Sequence, residues 1–392
     1  MKRSDTPTDK RTGCFSMRKI IFLIAVFLAA AFLNTALSES ESFLVLSDFH
    51  LTEEAQGRND VLNAVIRAAQ GRDAVLLLGD NTNNSHAEEH ALVLEWAREI
   101  GQQTGAEVYI IPGNHDYSRY FGPEEFSARY RPFGRNRAFS RDTSSASYAV
   151  MTGKGNCLLM LDTNQFDRKH FVLPDGSIGE GTLDWVREVL AELPEGTPVL
   201  ACGHHPILPP EREARTPGAR GLSQVLRAYG AGLYLCGHDH GFAAAEQEGL
   251  RQITTGQPHA FPGWAGILER DQGAFLWHTE QLYDEQSPFF IQLRENAASL
   301  GRQMARGTLE GTPYAEDEEA VEWFAAAFML FAGGDMTQEK SARLLADENC
   351  RKWRLVETRT VVKDWIIGLL ENNPEDVRRI FVPASQKYSA DD

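Results

Sequence analysis

Five short segments of this 392-residue chain carry side chains that bind metal ions: Asp48-Phe49-His50, Gly79-Asp80-Asn81, Gly113-Asn114-His115-Asp116, Gly203-His204-His205-Pro206 and Gly237-His238-Asp239-His240. Imidazoles, carboxylates and an amide oxygen, with no cysteine among them, suit Fe, Zn, Mn, Ni or Co rather than Ca, and argue against a closed structural zinc site. Asp48 and His50 stand at i and i+2, as do His238 and His240. In an extended segment such pairs point to one side, which gives a two-point grip on a cation. Asp80 has two oxygens with which to bridge two ions, and Asn114 and His204 add further ligand atoms. Singly these pieces are ordinary, since Gly-Asp after a strand is most often a turn. Together they form the kind of polar cluster that marks a site.

An apolar run precedes each segment, at 43–47, 74–78, 108–111, 199–202 and 233–236. A buried strand that stops at a polar loop reads this way. Helical periodicity fills 53–69, with Val61, Leu62, Val65 and Ile66, and 86–100, with Leu92, Trp96 and Ile100. The order β-α-β-α-β predicts parallel strands with right-handed crossovers and ligands beyond the strands' carboxyl ends. Further strands are expected at 147–151, 157–161, 253–255, 266–269 and 274–279, and helices at 183–193 and 222–229. More strands than crossovers predicts an α/β fold with two stacked sheets rather than one. The Arg-rich stretch 123–141 reads as an excursion over the site. Its arginines, and His259, Phe261 and Trp264, read more readily as solvated loop and ordinary packing than as substrate contacts. The character changes near residue 284: one more strand is expected at 288–293, then helices at 318–331, 341–345 and 351–370. The predicted division is 1–38 as leader, 39–284 as catalytic domain and 285–392 as a small, mainly helical C-terminal module.

Met17-Arg18-Lys19, an apolar run of 14 residues at 20–33, and Ala36-Leu37-Ser38 have the layout of a secretory signal peptide. The run is short of the roughly 20 residues of a membrane span. The expectation is export to the periplasm or medium; an N-terminally membrane-anchored chain is the alternative, and the one route to a membrane. Cys157, Cys202 and Cys236 lie in apolar strand-like runs, where a small buried hydrophobe is a better reading than a disulfide; Cys350 lies in the helical region. A formal charge of -16 argues against a nucleic-acid-binding surface. A phosphate-bearing substrate needs a local positive centre in such a chain, and bound metal supplies one.

Taken together over 43–279, the five segments resemble the calcineurin-like metallophosphoesterase superfamily. The resemblance implies an α/β fold, a two-sheet β-sandwich flanked by helices, and two divalent or trivalent metal ions: Asp48, His50, Asp80 and His240 around one, Asp80, Asn114, His204 and His238 around the other. It casts His115 as the catalytic residue at the leaving oxygen. Asp116 is expected to orient His115, and His205 to touch substrate or cap its loop. The implied reaction is hydrolysis of a small phosphate ester, with a metal-bridging hydroxide attacking phosphorus in line. Departures narrow the branch. Protein Ser/Thr phosphatases carry a second aspartate three residues after the bridging one, followed by Arg-Gly, and purple acid phosphatases carry a tyrosine there; this chain has Asn83, then Asn84-Ser85. The C-terminal helices do not resemble the nucleotide domain of exported 5'-nucleotidases. The expectation is a phosphodiesterase of the cyclic-nucleotide or general branch, where the fourth residue of the Gly-Asn-His-Asp motif is Asp. The alternatives are a phosphomonoesterase of the same fold, or a non-catalytic scaffold whose C-terminal helices meet an unidentified protein partner.

Overall fold

The computed structural model describes residues 40–53, 57–166, 174–208, 216–271, 274–357, 362–371 and 376–383; the leader-like segment lies outside them. Its first half runs β1 (Glu41–Leu46), α1 (Arg58–Ala69), β2 (Ala74–Leu78), α2 (Ala87–Thr104), β3 (Glu107–Ile111), α3 (Pro123–Arg129), β4 (Ser140–Arg141), β5 (Tyr148–Met151), β6 (Cys157–Met160) and α4 (Glu180–Glu192). Then come β7 (Val199–Cys202), α5 (Ala219–Ala228), β8 (Leu233–Cys236), β9 (Ala243–Gln247), β10 (Leu250–Thr254), β11 (Trp264–Asp271) and β12 (Ala274–Gln281). The chain finishes with α6 (Pro288–Leu309), α7 (Glu318–Ala332), α8 (Gln338–Leu345), α9 (Glu348–Leu355), α10 (Val362–Glu371) and β13 (Arg379–Val382).

The strands form two mixed sheets, in the orders β13-β12-β11-β1-β2-β3 and β4-β5-β6-β7-β8-β10-β9. The first pairs β1, β2 and β3 in parallel, and the second does the same with β6, β7, β8 and β10. Apolar side chains on these strands alternate between two cores. Phe43, Val45, Leu76 and Leu78 face Leu158, Met160, Leu200, Leu233 and Leu235 between the sheets. Leu44, Leu46, Val75 and Leu77 pack outward on Val61, Val65, Val93 and Trp96 of α1 and α2. Leu159, Ala201 and Tyr234 pack outward on α4 and α5. Both faces of these central strands are therefore dry, which is why they read as unbroken apolar runs. All four cysteines among the described residues are buried and unpaired.

The C-terminal region departs from the sequence expectations in two places. Residues 288–293 are the start of a helix rather than a strand. Ser287 Oγ accepts from Phe290 N at 3.1 Å and Pro288 takes the first turn, a standard N-cap pairing. The single helix expected at 351–370 is two, because the chain leaves the helical region at Val356 with ψ 117. The helices have a core of their own around Phe324, Trp353 and Ile366. Their final strand nevertheless joins the first sheet: β13 pairs with β12, and Trp277 Nε1 donates to Val377 O at 3.0 Å.

Candidate metal centre

The five loops leave the carboxyl ends of β1, β2 and β3 in the first sheet and of β7 and β8 in the second, and converge at one end of the sandwich. The ligand atoms of Asp48, His50, Asp80 and His240 lie within 4.8 Å of one another, and those of His204, His205 and His238 form a second such group. Asp80 stands between them, with Oδ2 at 3.7 Å from His50 Nε2 and 3.3 Å from His204 Nε2.

How the side chains converge differs from the sequence expectation. Asp48 and His50 are not extended: their φ values are 59° and 42°, and Asp80, His238 and His240 also have positive φ at 49°, 74° and 58°. Each left-handed non-glycine residue costs on the order of 1–3 kcal/mol, and such strain collects at functional sites. Two glycines let the loops close in. A Cβ at Gly113 would fall on the Asp80 carboxylate, and one at Gly237 on Ser47 and Asp48.

The electrostatics call for a cation. Asp48 and Asp80 are essentially inaccessible to solvent. Burial, only partly offset by His204, pushes Asp48 up to about 7. Burial acts the same way on Asp80, but the facing imidazoles of His204 and His50 outweigh it and hold that carboxyl below its ordinary range. Burial lowers His50 and His238 to about 3, the neutral form that ligates metal. Burial also opposes protonation of His204, yet Asp80 and Asp48 raise it to about 9. The Nε2 atoms of His50 and His240 face each other at 3.0 Å. His204 Nε2 faces Asp80 Oδ2 at 3.3 Å without hydrogen-bond geometry, and Asn114 Oδ1 is buried with no hydrogen-bond partner. Orphaned polar atoms of this sort call for an occupant, and together with the donor chemistry they fit metal ions. His204 Nδ1 donates to Leu78 O at 2.9 Å, which fixes the tautomer that aims Nε2 inward.

The two acid–base candidates have different surroundings from those expected. His115 Nδ1 lies 2.6 Å from Asn83 O, and its ring stands edge-on to His50 at 4.6 Å. Asp116 does not orient it. The Asp116 carboxylate instead accepts from Asn81 N, Asn81 Nδ2, Thr82 N, Thr82 Oγ1 and Gly113 N, at 2.8–3.1 Å. It ties the β2 and β3 loops together. His205 has no free ring nitrogen for substrate: Nδ1 bonds Thr163 Oγ1 at 2.8 Å and Nε2 donates to Pro174 O at 3.0 Å.

A cleft of about 780 Å³ opens beside His115 and Asn114, walled by residues 83–88, 117–121 and Arg129. Of the arginines in 123–141, Arg129 alone lines it. Arg135 is tied to the carbonyls of Ala146 and Ser147, and Arg137 pairs with Glu107. Tyr120 and Arg119 in the cleft wall were not singled out from sequence; the available signal was their place directly after the Gly-Asn-His-Asp loop.

The calcineurin-like phosphoesterase family model matches residues 42–242, and the chain belongs to that family of metal-dependent phosphoesterases. Among similar proteins, rat tartrate-resistant acid phosphatase type 5 is 26% identical over 223 residues, covering 53% of this chain and 67% of the rat protein. The 3',5'-cyclic adenosine monophosphate phosphodiesterase CpdA of Escherichia coli K12 is 28% identical over 195 residues, 44% of this chain and 63% of that protein. A solved purple acid phosphatase from yellow lupin seeds aligns at 13% identity and a TM-score of 0.44, over 64% of this chain and about half, 52%, of its own. By sequence the chain is similar to a phosphatase and to a phosphodiesterase alike.

Proposed function

We propose that this chain is an exported phosphodiesterase with two metal ions. Asp48, His50, Asp80 and His240 would hold one ion, and Asp80, Asn114, His204 and His238 the other. The observation that carries the reading is the pair of buried ligand atoms left without a hydrogen bond, His204 Nε2 and Asn114 Oδ1, beside the Asp80 carboxylate and the cleft. When bound, the ions supply positive charge against the phosphoryl oxygens and an activated water nucleophile.

The chain's own residues do the rest. Asp80 spaces the two groups. Leu78 O and Asn83 O fix the His204 and His115 rings. With Nδ1 committed to a carbonyl, His115 can hold a proton on Nε2 and deliver it to the departing alkoxide. Asp116 positions the loops, and His205 props the β7 loop. The leaving side of a phosphate ester carries an organic group, and the roomy cleft beside His115 suits such an arm; the preference for a diester rests on Asn83 and Asp116 in the motif loops.

The test is an assay of the purified protein, with manganese or with chelator, on bis-p-nitrophenyl phosphate and p-nitrophenyl phosphate. Metal-dependent diester hydrolysis well above monoester hydrolysis is expected. The reverse preference would make the enzyme a phosphatase. No turnover, with two metals bound per chain and full activity-independent stability in Asp80→Ala, would leave the scaffold reading.

A further inference from the structure

The cleft walls hold a feature that metal binding does not need. Tyr120 is 73% exposed, among the most exposed large side chains of the described residues. It stands four residues past Asp116, in the wall shared with His115 and Asn114. The Arg119 guanidinium lies 4.5 Å from the centre of its ring. Among the described residues Arg119 has no carboxylate within ion-pair distance. Behind them the wall is rigid. Phe121 stacks on the buried His90 ring at 3.9 Å, and Arg129 lies over its other edge at 5.3 Å. Ser118 and Phe121 exchange backbone hydrogen bonds at 2.9 and 3.0 Å, which pins the turn that presents Tyr120. A tyrosine held on a hydrogen-bonded turn in the cleft wall presents a rigid ring face, with a polar tip, to whatever enters.

In the same cleft lining the Asn83 carboxamide has no hydrogen bond within the described residues, while its backbone carbonyl is used by His115. An amide offers a donor and an acceptor side by side, which matches the edge of a nucleobase. The cleft lining carries two arginines, Arg119 and Arg129, and one carboxylate, Glu88, so this patch is positive in a chain of charge -16.

We propose that Tyr120, backed by Arg119, is a specificity-determining residue that stacks on a planar heterocyclic base carried by the leaving arm of the substrate. The substrate class is then a phosphate ester of a nucleoside. This rests on the phosphoesterase reading of the neighbouring centre, because the ester must reach the metals while its base reaches the ledge. Stacking on an aromatic side chain needs only a π face, and contributes on the order of 1–3 kcal/mol per base.

The experiment measures equilibrium binding of adenosine 5'-monophosphate and of ribose 5-phosphate to the manganese-loaded full chain by calorimetry. The two ligands share the sugar phosphate and differ by the base. Wild type should bind the nucleotide about tenfold more tightly. Tyr120→Ala should remove that difference by weakening the nucleotide alone, and Tyr120→Phe should restore it. Equal affinities in wild type, nucleotide binding indifferent to Tyr120→Ala, or an equal loss for both ligands would each overturn the proposal. Absence of metal-dependent hydrolysis would count against the phosphoesterase reading and leave this affinity difference to be judged by itself.

Discussion

His115 Nδ1 lies 2.6 Å from the backbone carbonyl oxygen of Asn83. A carbonyl has no proton to give, so the ring donates there and its other nitrogen, Nε2, is left for the cleft. The carbonyl comes from position 83, where the side chain separates this chain from other branches of the superfamily, so side-chain identity there does not govern the contact. His115→Gln should therefore lower turnover of an alkyl phosphodiester by about 10²–10⁴-fold, with metal content unchanged. On bis-p-nitrophenyl phosphate, whose leaving group is stable as an anion, the loss should be much smaller. An equal loss on both substrates, or loss of metal, would make His115 a structural residue.

Asp116 was expected to act on His115, and the structure gives it another task. Its carboxylate is the acceptor for buried donors at Asn81, Thr82 and Gly113. A buried donor left without an acceptor costs on the order of 1–3 kcal/mol. Asp116→Ala should destabilise the metal-free protein by about 3–5 kcal/mol in urea unfolding, and lower metal affinity through the displaced loops. Unchanged stability with lost turnover would return Asp116 to the catalytic role.

What the sequence disclosed follows from which constraints are carried by side chains. Strands β1, β2, β3, β7 and β8 are covered on both faces, so they are written as continuous apolar runs. The polar residues at their ends stand out against them. The left-handed backbone at Asp48, His50, Asp80, His238 and His240 is hidden, because only glycine announces that conformation reliably. The partners of His115, His204 and Asp116 are mostly backbone atoms, which have no letter in the sequence. In α6 two periodicities compete. Phe289, Ile291 and Leu293 alternate like a strand, while Phe290 and Leu293, which are the buried pair, keep helical spacing. Ser287-Pro288 was the deciding signal.

His90 gives a pH prediction that is separable from the metal centre. It is fully buried, with Nδ1 2.7 Å from Tyr130 Oη and Nε2 3.1 Å from Ser85 Oγ. Burial, with help from Arg129, lowers it to about 3 from 6.5. Between these values the unfolded chain binds more protons than the folded one, so stability is present above about 6.5 and is lost as pH falls toward 3. His90→Gln has no such group. It should be clearly less stable than wild type at pH 7.5, and the gap should narrow by at most about 1.4 kcal/mol per unit of pH on acidification. Metal-free urea unfolding of both proteins at pH 7.5 and 4.5 measures this, with His50 and His238 titrating in both. A gap that stays constant would mean His90 titrates normally in the folded state.

The last prediction concerns the C-terminal helices. Trp277 of β12 has no solvent exposure, and part of its cover is Val377, Ile380 and Val382 from the end of the chain. The ring of Phe331 in α7 lies against Gly241, the residue after His240, and Gly334 lies against Trp264 and Phe242. Cover lost from a buried tryptophan and its neighbours costs several kcal/mol, at about 25 cal/mol per Å² of apolar area. A chain ending at residue 284 should thus aggregate or unfold without cooperativity. Phe331→Ala in the full chain keeps the strand pairing and removes only the contact at Gly241. It should leave the unfolding midpoint of the metal-free protein lower by a few degrees and weaken manganese binding, read by titration, because His240 sits on the loop it steadies. If the shortened chain instead folds cooperatively and holds two metals as tightly as the whole, the helices are a separable module, and their partner is to be sought outside the catalytic sandwich.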